Sequence, residues 1–297
     1  MPSVYERFDP RAALLNGAAG ERFWVLEPNK VKLIGGGAPF SEFPLSDNED
    51  GLATLKHKFP HSSFYLTKLQ AGEYYPLMAR PSSCVPSESP GDNPDLDSDG
   101  LTRRARVLSS GQIDALIEQL KKICQTIHPE GDNLRAFGHD VRNILILACT
   151  EVEAQWKYIL SSNSYSSSKN MNIRKDYVKI LRAMKLNEYE VELTWYPWVG
   201  AAKPFEEWAR TGMLLWYLDY NKVKHDRLGN FEAATLRNAM AAVAGCFIML
   251  CAQFGWDFAR RGPEASSAFF RLIRGPSWSP SELYVPGTPR RVNYDFA

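Results

Sequence analysis

Apolar residues recur along the middle of the chain at intervals of three and four. Ile113, Leu116, Ile117, Leu120 and Ile123 form one stripe, and Val141, Ile144, Leu145, Ala148, Val152 and Ile159 form another. Both have the period of an amphipathic helix packed against a core. Ser110 is placed to cap the first, predicting a helix to about Ile127. Asp132 or Asn133 is placed to cap the second, which ends near Leu160. A polar loop, SSNSYSSS at 161–168, and a shorter helix from about Arg174 to Met184 follow. Pro204 suits a first helical turn with Glu206 and Glu207 at its positive end, and that helix runs to about His225. Asn230 would cap the last helix, Phe231 to about Phe258, which is apolar nearly all round in its middle and therefore central.

Outside this region the pattern changes. Phe23–Glu27 and Lys30–Ile34 flank Pro28-Asn29 as a hairpin would, and Ser62–Leu69 offers a third strand. The Gly35-Gly36-Gly37 triplet lacks the surroundings of a phosphate loop. Residues 81–100 are rich in Pro, Ser, Asp and Gly and read as a linker or exposed loop, meeting the basic run Arg103-Arg104-Ala105-Arg106. The fold expected is mainly α. A small mixed α/β region occupies 1–100 with its linker at 81–100, a helical bundle occupies 101–260, and an extended tail occupies 261–297.

Composition narrows the function classes. Hydrophobic residues make up 44%, charged residues 23% and aromatic residues 12% of 297, enough for a sizeable core. A net charge of +1 excludes broad attraction to nucleic acid, so such contact needs a local patch. Cys84, Cys124, Cys149, Cys246 and Cys251 form no CxxC pair and read as free thiols of a reducing compartment. The first residues contain no secretory core, and the apolar run 239–252 is too short to cross a bilayer. These features point to a cytoplasmic protein with no membrane contact.

Two polar groups interrupt the helical stripes. Leu214, Leu218, Asn221 and His225 share one helix face, with Lys224 beside them, so Asn221, Lys224 and His225 fall within about one turn. His139, Arg142 and Asn143 lie together near the start of the preceding long helix. Helices packed side by side would place two imidazoles, an Arg, a Lys and two amides on one surface. A plainer reading gives His225 the role of a C-terminal helix cap and leaves Lys222 and Lys224 solvated. Conventional hydrolase chemistry finds little support. There is no GxSxG, Cys149 and Cys246 lie in apolar stripes, and Glu151 and Glu153 point apart on their helix. No HxxxH, HExxH or Cys/His spacing points to a metal.

The helix order, the segment His139-Asp140-Val141-Arg142-Asn143, and Tyr220-Asn221-Lys222-Val223-Lys224-His225-Asp226-Arg227 before a long apolar helix resemble the HEPN domain superfamily. The resemblance covers residues 110–260, about half the chain. It implies a helical bundle, and many such domains are metal-independent ribonucleases of bacterial toxin, abortive-infection and anti-phage systems that act as dimers. Their signature is an Arg followed after four to six residues by a His, often with a polar residue next to the Arg. His225 and Asn221 match it, whereas Tyr220 stands at the Arg position. The resemblance implies an RNA endonuclease without a cofactor, in which His225 is the acid/base, Asn221 orients it, and Lys224 and Arg142 hold phosphate. His139, Asn143, Lys222 and Arg227 are the further RNA-binding candidates. The alternative is a non-catalytic bundle binding a protein partner or a nucleotide. The resemblance also implies a homodimer; the residues themselves do not settle oligomeric state, although Trp208, Trp216 and Tyr217 offer more aromatic surface than one bundle face usually exposes. The N-terminal region would then sense a signal or bind a regulatory protein partner.

Overall fold

The computed structural model describes residues 3–8, 22–34, 42–80, 100–166, 171–255, 268–285 and 287–297. The chain forms two compact units, one of residues 1–75, 80–96 and 278–292, the other of residues 76–79, 97–277 and 293–297.

The first unit is built on an antiparallel sheet. The expected hairpin is present as β2 (Arg22–Glu27) and β3 (Lys30–Ile34), with Glu27 opposite Lys30. β1 (Ser3–Phe8) pairs with β2, β4 (Glu42–Pro44) with β3, and β5 (Ser63–Leu66) returns to β1, giving the order β4-β3-β2-β1-β5. Strand alternation gives the sheet two apolar faces. Val4, Phe23 and Val25 pack with Leu283 and Val285 on one, and Trp24, Val31 and Leu33 pack with Leu55 on the other. Leu55 belongs to helix α1 (Gly51–Lys58), whose first turn is capped by Asp50 accepting from the Leu52 amide at 2.9 Å. β6 (Glu73–Tyr74) runs parallel to a strand at Arg290–Arg291.

The second unit is predominantly helical, as the periodicity requires. Its elements are α2 (Gly100–Thr126), α3 (His139–Ser162), α4 (Val178–Ala183), β7 (Glu190–Leu193), α5 (Glu206–Thr211), α6 (Leu215–His225), α7 (Arg227–Asn230), α8 (Leu236–Phe254) and β8 (Phe270–Arg274). In chain order the Arg290–Arg291 strand of the first unit is therefore β9. α3 and α8 run parallel at a constant offset of 98 residues. Cys246 donates to the Ala148 carbonyl at 3.2 Å, and Gln253 donates to Gln155 at 3.1 Å. Phe137 bridges Thr235 just before both helices begin, at the same offset. α8 meets the length and hydropathy of a membrane span, but 83% of that window is buried against its neighbours. Packing in the unit accounts for its apolarity.

Several expected boundaries move, each for a local reason. α2 starts at Gly100, so Ser110 lies inside the helix and donates back to the Arg106 carbonyl at 2.7 Å. The basic run Arg103–Arg106 is thus helical. Residues 131–135 form a 3₁₀ turn, and α3 begins only at His139, with no side chain capping it. The helix expected from Pro204 to His225 is broken at Gly212, where φ of +72° ends α5 in the left-handed region. The expected cap Asn230 ends the short α7, whereas Thr235 caps α8 through the Asn238 amide at 3.3 Å. Gly255, at φ +94°, closes α8. The helix expected from Arg174 opens with a π-helical turn at Ile173–Tyr177.

The tail is divided between the units rather than forming one strap. β8 pairs antiparallel with β7, residues 278–292 join the sheet unit, and residues 293–297 return to the helices. There the Tyr294 amide donates to buried Asn163 at 3.0 Å, and Asn163 in turn holds the Pro76 carbonyl at 2.9 Å. The glycine triplet, most of the 81–100 linker, Cys84 and residues 167–168 of the polar loop lie outside the described residues. Cys124, Cys149, Cys246 and Cys251 are free and buried, as their apolar stripes require.

Candidate polar site at the end of the helical unit

α6 runs antiparallel to α3. Early in α6, Tyr217 meets Trp156 at a ring separation of 5.7 Å and donates to Glu153 Oε1 at 2.6 Å. Later in α6, Lys224 is within electrostatic reach of Glu153 and Cys149, one turn nearer the start of α3. The C-terminus of α6 therefore points toward the N-terminus of α3, where His139, Arg142 and Asn143 reside. The start of α8 lies at the same end, since Asn238 donates to Asp219 of α6 at 2.9 Å and Phe231 packs on His139 at 5.0 Å.

The candidate residues form separate small pairs within this end. Lys224 reaches back one turn and donates to the Tyr220 hydroxyl at 2.8 Å. That hydrogen bond raises its pKa against the lowering effect of burial, aided by the Tyr220, Glu153 and Cys149 charges. Lys222 pairs with Asp219 at 2.6 Å. Arg142 donates to Asn143 at 3.3 Å through one terminal nitrogen, while its Nε is buried and makes no hydrogen bond among the described residues. Asn221 is half-buried, and His225 and Arg227 are exposed. Among the described residues no hydrogen bond or ion pair engages the His225 imidazole, and none joins Arg142 to α6. Asp226, next to His225, caps α7 by accepting from the Gly229 amide at 3.0 Å.

A cleft of about 510 Å³ opens beside the start of α3, lined by Lys122, Thr126, Gly138, His139, Asp140 and Asn143 among others. Two of the RNA-binding candidates thus share one depression with a lysine from α2. Among the described residues no three His, Cys, Asp or Glu side chains gather as a metal would require.

Sequence reasoning overlooked a largely buried polar cluster between α3 and α6. Glu153 has a side chain only 16% exposed, accepts from Tyr217 and lies 3.8 Å from Lys157. Tyr217 and Tyr220 meet at a tilt with ring centroids 5.4 Å apart, and Tyr177 packs on Trp156 at 5.0 Å. Burial, then the Glu153 hydrogen bond and charge, push the Tyr217 hydroxyl well above the usual tyrosine range. Burial and the Glu153 and Asp176 charges raise Tyr177 to about 12. The signal was available in Tyr217, Tyr220 and Lys224 at i, i+3, i+7, one face of α6. Glu151 and Glu153 do point apart, since Glu151 accepts from Gln155 at 2.8 Å on another side of α3.

The same cluster overturns one expectation. Trp208, Trp216 and Tyr217 are buried, so they supply no surface for a second copy. Trp208 packs on Trp156 at 5.2 Å, and Trp216 donates to the Pro204 carbonyl at 2.9 Å. Tyr220, which the expected resemblance sets against an Arg, is 0% exposed. Its hydroxyl accepts from the Lys224 ammonium.

No family model, no curated protein and no solved structure matches the chain.

Proposed function

We propose that this protein is a metal-independent endoribonuclease of the HEPN type, acting in the cytoplasm in bacterial anti-phage defence or growth arrest. The observation that carries the reading is the His225 imidazole, exposed at the end of α6 and hydrogen-bonded to nothing among the described residues. RNA carries its own nucleophile in the 2′-hydroxyl. A base takes that proton, the oxygen attacks the adjacent phosphorus, and the departing 5′-oxygen receives a proton from an acid, leaving a 2′,3′-cyclic phosphate and a 5′-hydroxyl. Imidazole serves either role near neutrality. In a symmetric dimer, two copies of His225 divide them.

Lys224 and Arg142 supply positive charge for the phosphate. Lys224 spends one of its three donors on Tyr220 and keeps two for phosphate oxygens. Arg142 spends one terminal nitrogen on Asn143 and keeps the other for a phosphate oxygen. Asn221, one turn before His225, orients the imidazole or the scissile group. Overexpressed wild-type protein is expected to arrest growth and cleave RNA in vitro, and His225→Ala to do neither. Equal toxicity and equal cleavage by the two sink the reading.

A specific observation favours a second reading, a non-catalytic bundle that binds a protein partner or nucleotide. Tyr220, where the resemblance would place an Arg, is buried and puts no cation into the site. That reading expects a stable complex in pull-downs and no RNA cleavage at high protein concentration.

A further inference from the structure

A second depression in the helical unit lies apart from the residues that sequence singled out. It holds about 370 Å³, within the range of roughly 300–1,000 Å³ usual for small-molecule sites. It is bounded by the first turns of α6 and α8, the end of β7 and the segment 199–204 that leads into α5. Leu134, Leu193 and Met240 line it and are 7%, 1% and 5% exposed, whereas Leu215 lines it at 53% exposure. The Trp216 ring, tied by its indole N–H to the Pro204 carbonyl, adds a further apolar wall. An exposed leucine beside buried apolar side chains leaves apolar area that an apolar ligand would take out of water.

The charged and amide side chains of the lining decide what such a ligand must carry. Lys203 lies 3.7 Å from Glu190 and 3.6 Å from Glu206. Glu207 accepts from Arg210 through both carboxylate oxygens, at 2.7 and 2.6 Å. Asn238 donates to Asp219 and to the Ala233 carbonyl, each at 2.9 Å. Arg237 differs from these three: it is exposed and makes no hydrogen bond or ion pair among the described residues. It also stands in the first turn of α8, where the positive end of the helix opposes a cation. An anion against the guanidinium supplies the partner and offsets that repulsion.

We propose that this cavity binds a small organic acid with an apolar body and a single carboxylate. The body lies against Leu134, Leu193, Leu215 and Met240, and the carboxylate takes the planar fork of Arg237. One uncommitted cation matches one negative charge. A nucleotide brings more than one, with no second free cation to receive it and the Glu207 carboxylate in the same wall. An amine would instead meet Arg237. Neither His225 nor Arg142 lines the cavity, so the proposal stands apart from the ribonuclease reading.

The test titrates the full chain by calorimetry with 4-phenylbutyrate and, in parallel, with 4-phenylbutanol, which keeps the apolar body and lacks the charge. The wild type is expected to bind the carboxylate saturably and roughly tenfold more tightly than the alcohol. Arg237→Gln should weaken the carboxylate by roughly that factor and leave the alcohol unchanged, so the preference disappears. Arg237→Lys keeps the charge without the fork and recovers part of it. Ala241→Phe projects a ring into the cavity from a half-buried position of α8 and should abolish binding of both compounds. Absence of saturable binding by the wild type up to about 10 mM overturns the proposal. So does a carboxylate preference that survives Arg237→Gln, or undiminished binding by the folded Ala241→Phe protein. Arg237 is exposed, so its variants keep the fold and the charge test stands even if Ala241→Phe does not fold. RNA cleavage is not a readout, and loss of the ribonuclease reading leaves these outcomes unchanged.

Discussion

Removing the Tyr217 hydroxyl tests whether the buried cluster between α3 and α6 stabilises the helical unit. Tyr217→Phe deletes one oxygen and leaves the ring against Trp156 and Tyr220, so little apolar area changes. What is lost is a 2.6 Å hydrogen bond to a carboxylate whose side chain is 16% exposed. Hydrogen bonds to charged groups contribute about 1.5–3 kcal/mol, and Lys157 at 3.8 Å compensates little because exposed pairs contribute about 0–1 kcal/mol. A loss of about 2 kcal/mol follows, equivalent to a Tm lower by about 4–8 °C for a unit of this size. The assay is urea and thermal unfolding of wild type, Tyr217→Phe, Glu153→Gln and the double variant at pH 7. The cycle should give a coupling of about 1–2 kcal/mol, because the charge of Glu153 matters to Tyr217 only through this contact. A Tm within 1 °C (roughly the ~0.3 kcal/mol level) for Tyr217→Phe, or strictly additive single effects, would refute the reasoning.

Other outcomes follow from the same geometry. Tyr220→Arg places a second cation beside Lys224 in a fully buried position, so it should cost about 3–5 kcal/mol and lower soluble yield, as melting and expression will show. Tyr177, raised to about 12 from 10.0, keeps its proton in the folded chain while the unfolded chain loses it. Its contribution is complete below pH 10 and is lost as pH rises toward 12, at up to about 1.4 kcal/mol per pH unit, so Tyr177→Phe should flatten the alkaline fall in urea stability. Gly72 combines φ of +77° with close approach of the Thr288 carbonyl, and Gly72→Ala should destabilise the sheet unit by about 2 kcal/mol or more in a chemical melt.

How far the sequence disclosed this fold depended on the range of the signal. The stripes of α2, α3 and α8 and the β2–β3 hairpin follow from side chains a few residues apart, and the period alone marks them. The breaks depended on backbone conformations that single residues hold only in context. Gly212 reads as an ordinary glycine within a helical pattern until its φ of +72° splits α5 from α6. Ser110 carries good capping chemistry, yet helix-forming residues before it let α2 begin ten positions earlier. The division of the tail between two units, with β8 on β7 and β9 on β6, rests on pairings between residues distant in sequence. Nothing local in a run of prolines and glycines encodes them.

The site shows a similar division, and it changes where the chemistry should be sought. Helical spacing correctly placed Tyr220, Asn221, Lys224 and His225 within successive turns, but spacing alone does not say which side chains turn inward. Tyr220 sits at 0% exposure because Tyr217, Tyr220 and Val223 form the inward stripe of α6. Lys224, an exposed lysine next to His225 in sequence, donates to the Tyr220 hydroxyl and is held to the core by that one hydrogen bond. That hydrogen bond restrains the ammonium and lowers the entropy lost when it meets a phosphate. On the proposed ribonuclease reading, this restrained lysine supplies the phosphate-holding charge, as a point charge rather than a bidentate fork. If it serves that role, Lys224→Arg should leave cleavage impaired, since the longer planar head cannot keep both the Tyr220 hydroxyl and the phosphate. Tyr220→Phe, which frees the ammonium without moving the helix, should lower the cleavage rate while preserving strand affinity. Full cleavage by both variants would place the phosphate-holding charge elsewhere, with Arg142 the next group to examine.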